Sequence, residues 1–242
     1  MNAIAIIPAR YGSTRLPGKP LLDRTGMPLI RHVVQTVASA SSIRKIVVAT
    51  DDSRIASTVE AFGGNCVMTR ADHTSGTDRI AEAADILNLE AGDIVVNVQG
   101  DEPEMPAACV DRLVKLLDGG ACPMATLATP LSEDEVDDPN KVKVALRADG
   151  RALYFSRSRI PFDRDSNRKV RYLLHLGIYA YRAAFLKRYA GLSPTPAEQA
   201  EKLEQLRALE SGFDIAVGVS DYHGRGIDTP DDYEAFVKRC GA

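Results

Sequence analysis

Arg10, Arg15 and Lys19 stand close together in Pro8-Ala-Arg-Tyr-Gly-Ser-Thr-Arg-Leu-Pro-Gly-Lys-Pro20. Gly12, Ser13 and Gly18 lie between them, so cationic side chains and unobstructed backbone N–H groups can converge on one anion. A nucleoside triphosphate is the candidate. A solvated basic loop is the other reading of the same residues. The spacing matches neither common phosphate loop: Lys19 is followed by Pro20 rather than Ser or Thr, and there is no Gly-x-Gly-x-x-Gly.

Carboxylates stand at two further points. In Asp93-Ile-Val-Val-Asn-Val-Gln-Gly-Asp-Glu-Pro103, Gly100 turns the chain after an apolar run, so that Asp101 emerges at a strand's carboxyl end. Such a carboxylate either holds Mg²⁺ against phosphate oxygens or serves the turn itself. Asp228 precedes Thr229 and Pro230, an N-cap and first-turn pair, so it is not needed as a cap and is free to bind metal. Ser75, Gly76 and Thr77 open a helix, either as caps or as the groups that meet a nucleotide base, with Arg79 adding charge. His175 interrupts an apolar strand, where a histidine is either a satisfied core residue or a site residue.

The surrounding periodicities predict what positions these groups. Apolar runs at 3–7, closed by Pro8, and at 45–50, 66–68, 94–98, 124–130, 173–181 and 215–218 read as strands. Between them, helical stripes run through Leu29, Ile30, Val33, Val34 and Val37; Ile55, Val59 and Phe62; Ile80, Ala83, Ala84 and Leu87; and Val110, Leu113, Val114 and Leu117. The acidic stretch 132–138 reads as a short solvated helix, 196–210 as one helix, and Tyr233, Phe236, Val237 and Cys240 as the buried stripe of the last helix. Residues 141–146 and 152–156 form a hairpin candidate around Ala148-Asp-Gly150. The alternation implies a three-layer α/β fold with a mainly parallel, mixed central sheet and helices on both faces. Ligands in such sheets sit beyond the carboxyl ends of the strands. No linker interrupts the chain, so 1–242 reads as a single domain with an antiparallel excursion at about 140–190.

The totals narrow the class. At 242 residues and 45% apolar composition the chain can bury a large core, and a net charge of −3 argues against a nucleic-acid binder. The N-terminus runs straight into a strand, and no stretch approaches the roughly 20 apolar residues of a membrane span, so a soluble cytoplasmic protein is expected. Cys66, Cys109, Cys122 and Cys240 are scattered without metal-ligand spacing and imply neither zinc nor disulfides.

The loop at 8–20 resembles the signature loop of the sugar nucleotidyltransferases, in the form carried by the 3-deoxy-manno-octulosonate (Kdo) cytidylyltransferases. His73-Thr-Ser-Gly-Thr-Asp-Arg79 resembles the segment that lies against cytosine in that family. His175-Leu-Gly-Ile-Tyr179 and Leu203-Glu-Gln-Leu-Arg207 resemble its acceptor-binding segments, and Asp101 and Asp228 match its two magnesium aspartates. The resemblance covers nearly the whole chain. It implies a fold like that of the nucleotide-diphospho-sugar transferases, and CTP, the acid sugar Kdo and Mg²⁺ as ligands, for lipopolysaccharide biosynthesis. It also implies a homodimer, with the excursion adding acceptor and dimer contacts. Ala9, Arg10, Ser13, Arg15, Lys19, Thr74, Ser75, Gly76, Arg79 and Gln99 would bind the nucleotide; Arg10, Lys19, Asp101 and Asp228 would be catalytic, and Asp101 and Asp228 would hold the metal. Gln99, Arg157, His175, Tyr179, Glu204 and Gln205 would bind the acceptor, with Arg157 on its carboxylate. An 8-amino-8-deoxy-Kdo or other acid-sugar acceptor, or a non-catalytic nucleotide-binding regulator on the same fold, are the alternatives.

Overall fold

A computed structural model describes residues 2–12, 15–165 and 170–241, so Ser13, Arg168 and Lys169 lie outside the described residues. Strand β1 (Ala3–Ala9) shows why one apolar run can hold two layers. Its side chains alternate: Ala3, Ala5, Ile7 and Ala9 enter one core cluster, Ile4 and Ile6 the other. Helices α1 (Leu29–Ala38), α2 (Ser53–Ala61) and α4 (Ala107–Leu117) cover the first face through Val33, Val59 and Leu113. Helices α3 (Gly76–Ile86) and α5 (Ala183–Ala190) cover the second through Ile80 and Leu186. A third cluster, Leu29, Ile227, Tyr233, Phe236 and Val237, docks the last helix, α8 (Pro230–Arg239), onto the start of α1.

The remaining strands are β2 (Lys45–Thr50), β3 (Asn65–Met68), β4 (Ile94–Asn97), β5 (Met124–Pro130), β6 (Lys143–Leu146), β7 (Ala152–Ser156), β8 (Leu173–Arg182) and β9 (Ile215–Val219). Their main order is β3-β2-β1-β4-β8-β5-β9, and along that path only β8 runs against the others. The chain steps outward from β1 to β2 and β3, then returns to place β4 on the other side of β1. This reversal opens a crevice between the carboxyl ends of β1 and β4. Among the described residues, no helix is long and apolar enough to cross a membrane.

Several expectations change. The first strand does not stop at Pro8: it runs to Ala9, with Pro8 opposite Ala49 of β2. Pairing with β4 has already ended at Ile6, and the carbonyls of Asn2 and Ile6 point to the β4 side, so by alternation the proline's missing N–H faces no strand there. The antiparallel element is not merely an excursion, because β8 sits at the centre of the sheet while the β6–β7 hairpin hangs from it through Lys143 opposite Leu174. Residues 133–137 form turns instead of a solvated helix. Val136 is buried beneath them, and Glu133 and Asp137 are drawn to Arg159. The helix expected over 196–210 breaks into α6 (Pro196–Glu201) and α7 (Leu206–Glu210) at Lys202, whose φ of 54° ends the first helix. Cys240 is the exposed C-cap of α8 and does not join its buried stripe.

Candidate active site

The crevice is a cleft of about 280 Å³. Its walls are the end of β1 with the loop after it, the N-terminus of α3, the turn after β4, and the segment before α8. That turn favours a glycine, because a Cβ on Gly100 would lie 3.0 Å from the Pro8 carbonyl oxygen and the backbone there would have to give. Asp101 leaves this turn toward the cleft. Asp228 is fixed from the other side: the Asp232 carboxylate accepts from its backbone N–H at 3.1 Å and from that of Thr229 at 2.8 Å. Ile227 N–H donates to the Asp101 carbonyl at 2.9 Å, so the two acidic positions are stitched together by backbone.

Lys19, in the tight turn Lys19–Leu21, closes the group. Its ammonium donates to Asp101 Oδ2 at 2.8 Å, the Ile227 carbonyl at 2.7 Å and Asp228 Oδ1 at 3.4 Å, which uses all three of its donors. Arg15 Nη2 reaches Asp228 Oδ1 at 3.1 Å. Arg10 is exposed at the cleft wall. The loop base is held by Tyr11, whose carbonyl accepts from Gly18 N–H at 3.0 Å and whose ring lies under the Arg54 guanidinium at 3.4 Å.

At the α3 end, Ser75 is the N-cap and its hydroxyl accepts from Asp78 N–H at 3.1 Å, yet Ser75, Gly76 and Thr74 also line the cleft. The two readings of this segment are therefore compatible. Arg79 lines the cleft as well but brings less free charge than expected. It is buried, donates to Thr69 Oγ1 at 2.6 Å and pairs with Asp51 at 3.3 Å.

Of the acceptor candidates, Gln99 lines this cleft, while His175, Tyr179, Glu204 and Gln205 form a second cluster below the α3 N-terminus and do not line it. In β8 a bulge falls opposite Thr126 and Leu127, and the Thr126 hydroxyl lies 3.1 Å and 2.8 Å from the carbonyls of Leu176 and Ile178. His175 Nε2 is 3.0 Å from the same hydroxyl, and burial pushes its imidazole down to about 3, so the ring is neutral. Tyr179 donates to Gln205 Oε1 at 3.2 Å, and Gln205 Nε2 is 3.5 Å from His175 Nδ1. Thr77 donates to Glu204 Oε2 at 3.1 Å, which joins this cluster to α3. Burial raises the Glu204 carboxyl, and its Oε1 is buried without a hydrogen-bond partner among the described residues. The break between α6 and α7 is what turns Glu204 and Gln205 toward β8.

Thus the structure gathers Ala9, Arg10, Arg15, Lys19, Thr74, Ser75, Gly76, Arg79, Gln99, Asp101 and Asp228 around one cleft, while Ser13 lies outside the described residues. It does not bring Arg157 there. That guanidinium donates to the carbonyls of Glu201 at 2.7 Å and Pro139 at 2.9 Å, tying β7 to the end of α6. Sequence reasoning overlooked Asp51, which neutralises Arg79, and gave no role to His73, which lines the cleft beside its carboxylate partner Glu82. The signal for His73 was present in the quoted motif.

Residues 4–215 match the protein family described as Cytidylyltransferase. The chain is 53% identical over 240 residues to the 3-deoxy-manno-octulosonate cytidylyltransferase of Syntrophobacter fumaroxidans, covering 98% of this chain and 96% of the relative. The chain belongs to the 3-deoxy-manno-octulosonate cytidylyltransferases. A second member, from Thermodesulfovibrio yellowstonii, is 48% identical over 98% of both chains. The solved structure of a CMP:2-keto-3-deoxy-manno-octonic acid synthetase complexed with CTP superposes on this cytidylyltransferase with a TM-score of 0.94 and 45% identity, covering 100% of this chain and 99% of the other. A 4-diphosphocytidyl-2C-methyl-D-erythritol synthase, 15% identical with a TM-score of 0.67, shares the fold alone.

Proposed function

We propose that this cytidylyltransferase transfers CMP from CTP to the anomeric hydroxyl of Kdo, releasing pyrophosphate and supplying CMP-Kdo for lipopolysaccharide synthesis. The observation that carries the reading is the meeting of Lys19, Asp101 and Asp228 in a cleft at the β1–β4 switch point, in a chain matched end to end by Kdo cytidylyltransferases. The new bond joins the anomeric oxygen to the α-phosphorus. The bond from that phosphorus to the bridging oxygen breaks, its electron pair leaves with pyrophosphate, and the hydroxyl proton passes to solvent. Such a transfer needs positioning and charge neutralisation, with no covalent enzyme intermediate.

Arg10, Arg15 and Lys19 would hold the triphosphate, and the α3 N-terminus with Ala9, Thr74, Ser75 and Gly76 the nucleoside. Arg79, paired with Asp51, would brace that end, and Gln99 would lie between nucleotide and acceptor. Asp101 and Asp228 fit Mg²⁺: they already converge on a cation, the Lys19 ammonium, and present the hard oxygens the ion prefers. The bound ion would neutralise charge on the phosphate oxygens. The neutral His175, Tyr179, Gln205 and the half-satisfied Glu204 would receive the sugar. We further propose a cytoplasmic homodimer, on the strength of the family.

Pyrophosphate release with CTP and Mg²⁺, run with Kdo, with 8-amino-8-deoxy-Kdo and without acceptor, tests the reading. Release with Kdo is expected. Release with the amino sugar alone would keep the chemistry and change the substrate, and CTP binding with no release in any arm would leave a nucleotide-binding regulator.

A further inference from the structure

Two carboxylates of the cleft, Asp101 and Asp228, and two of its cations, Lys19 and Arg15, satisfy one another before any ligand arrives. Lys19 spends its three donors on Asp101, Asp228 and the Ile227 carbonyl, and its side chain is only 13% exposed, so these contacts are not a chance surface encounter. Arg15 adds a second positive charge on Asp228. No group of three or more acidic, histidine or cysteine side chains that could hold a metal occurs among the described residues, so Asp101 and Asp228 have no further protein ligand of that kind to help them. A divalent ion approaching the nucleotide-free protein therefore meets two carboxylates already neutralised by an ammonium and a guanidinium, and must expel a fully bonded lysine.

We propose that Lys19 is an exchangeable internal cation: it occupies the acidic pair in the free enzyme and is transferred to the triphosphate when CTP binds, which vacates the pair for the metal. The idea rests on the metal reading given above and concerns the order in which that site fills. A triphosphate supplies the acceptors that Lys19 and Arg15 would otherwise lose, and it supplies oxygens to complete the ion's coordination, since Mg²⁺ is commonly held by one or two carboxylates plus substrate phosphates. Nucleotide and metal then bind with positive coupling. Lys19 is the element through which the two sites communicate, because both ligands favour the same position for it, off the acidic pair and on the triphosphate.

The test is Mn²⁺ binding to nucleotide-free protein, followed by the loss of the free-ion paramagnetic resonance signal. Lys19→Met, and Lys19→Gln as a second replacement should the first unfold, are expected to bind Mn²⁺ on the order of tenfold more tightly than wild type. Adding Asp228→Asn to either is expected to abolish the gain. An affinity equal to or below that of wild type in a folded Lys19 variant would overturn the exchange. Turnover of Asp101→Asn and Asp228→Asn separates the two ideas: if both variants are inactive while the Lys19 variants show no gain, the metal pair stands and the exchange falls. If both stay active, the metal reading itself has failed.

Discussion

The two halves of the site are built from opposite materials. At the nucleotide end, charge is plentiful and partly open to water: side-chain exposure is 64% for Arg15, 50% for Asp228 and 30% for Asp101. These groups are paired with each other but can be re-paired, which suits a ligand with several negative charges. At the acceptor end, His175 and Tyr179 are half-buried, the imidazole is neutral, and the contacts run between hydroxyl, amide and ring. One oxygen, Glu204 Oε1, is left without a partner among the described residues. A buried polar atom of that kind costs about 1 to 3 kcal/mol until something donates to it, and a sugar hydroxyl is a fitting donor. On the proposed function, the contrast teaches how one site would discriminate: the charged half would capture the phosphates, and the neutral half would read the sugar by satisfying a pre-formed network. Thr77 joins them, since it sits at the α3 N-terminus and donates to Glu204.

The contrast can be broken most severely at the acidic pair. Asp101→Asn or Asp228→Asn is expected to lower turnover at least about a hundredfold while thermal unfolding stays near wild type, because each removes a carboxylate proposed to hold the metal, on an already exposed wall. Near-normal turnover in magnesium would remove that residue's metal role. Next, Glu204→Gln is expected to raise KM for Kdo about tenfold at saturating CTP, the effect of weakening one charge-assisted hydrogen bond. Arg157→Ala sharpens the boundary of the acceptor half. Its ties run to Glu201 and Pro139, so the variant should lose about 1 to 2 kcal/mol of stability in denaturant unfolding and keep its KM for Kdo. A raised KM at unchanged stability would return Arg157 to the sugar.

The smallest effect is a pH dependence. An unfolded histidine titrates near 6.5, and folding lowers His175 to about 3. Between those values the unfolded chain binds the extra proton, so the neutral ring's contribution to stability is complete above about pH 6.5 and is lost as pH falls. The slope from this group is at most about 1.4 kcal/mol per pH unit. His175→Gln has no such proton to bind, so the stability gap between wild type and variant should narrow from pH 7 to pH 5. A gap that stays constant or widens would mean that His175 is not held neutral by burial.

How legible each half was follows from the same contrast. Lys45–Thr50, Ala107–Leu117 and Met124–Pro130 form where alternation and helical stripes placed them, because their apolar faces meet one core each. The nucleotide end was readable because Arg10, Arg15 and Lys19 share one loop and Asp101 ends a strand marked by its own hydrophobicity. The acceptor end resisted. It depends on a helix break at Lys202 that carries no glycine or proline, and on a strand, β8, inserted in reverse among parallel neighbours. Neither is a local property. The contacts of Arg157 were hidden for a related reason: an arginine's charge is visible in sequence, while the two backbone carbonyls it meets are set by tertiary packing. The acidic run at 132–138 likewise looked solvated because its partner, Arg159, lies in a distant loop.

The division of labour is tested most directly by pyrophosphate release over a grid of CTP and Kdo concentrations for wild type, Arg15→Ala and Glu204→Gln. The account expects release only when both substrates and magnesium are present, with Arg15→Ala displaced along the CTP axis and Glu204→Gln along the Kdo axis. Displacement of both variants along the same axis, or release that ignores Kdo, would contradict it.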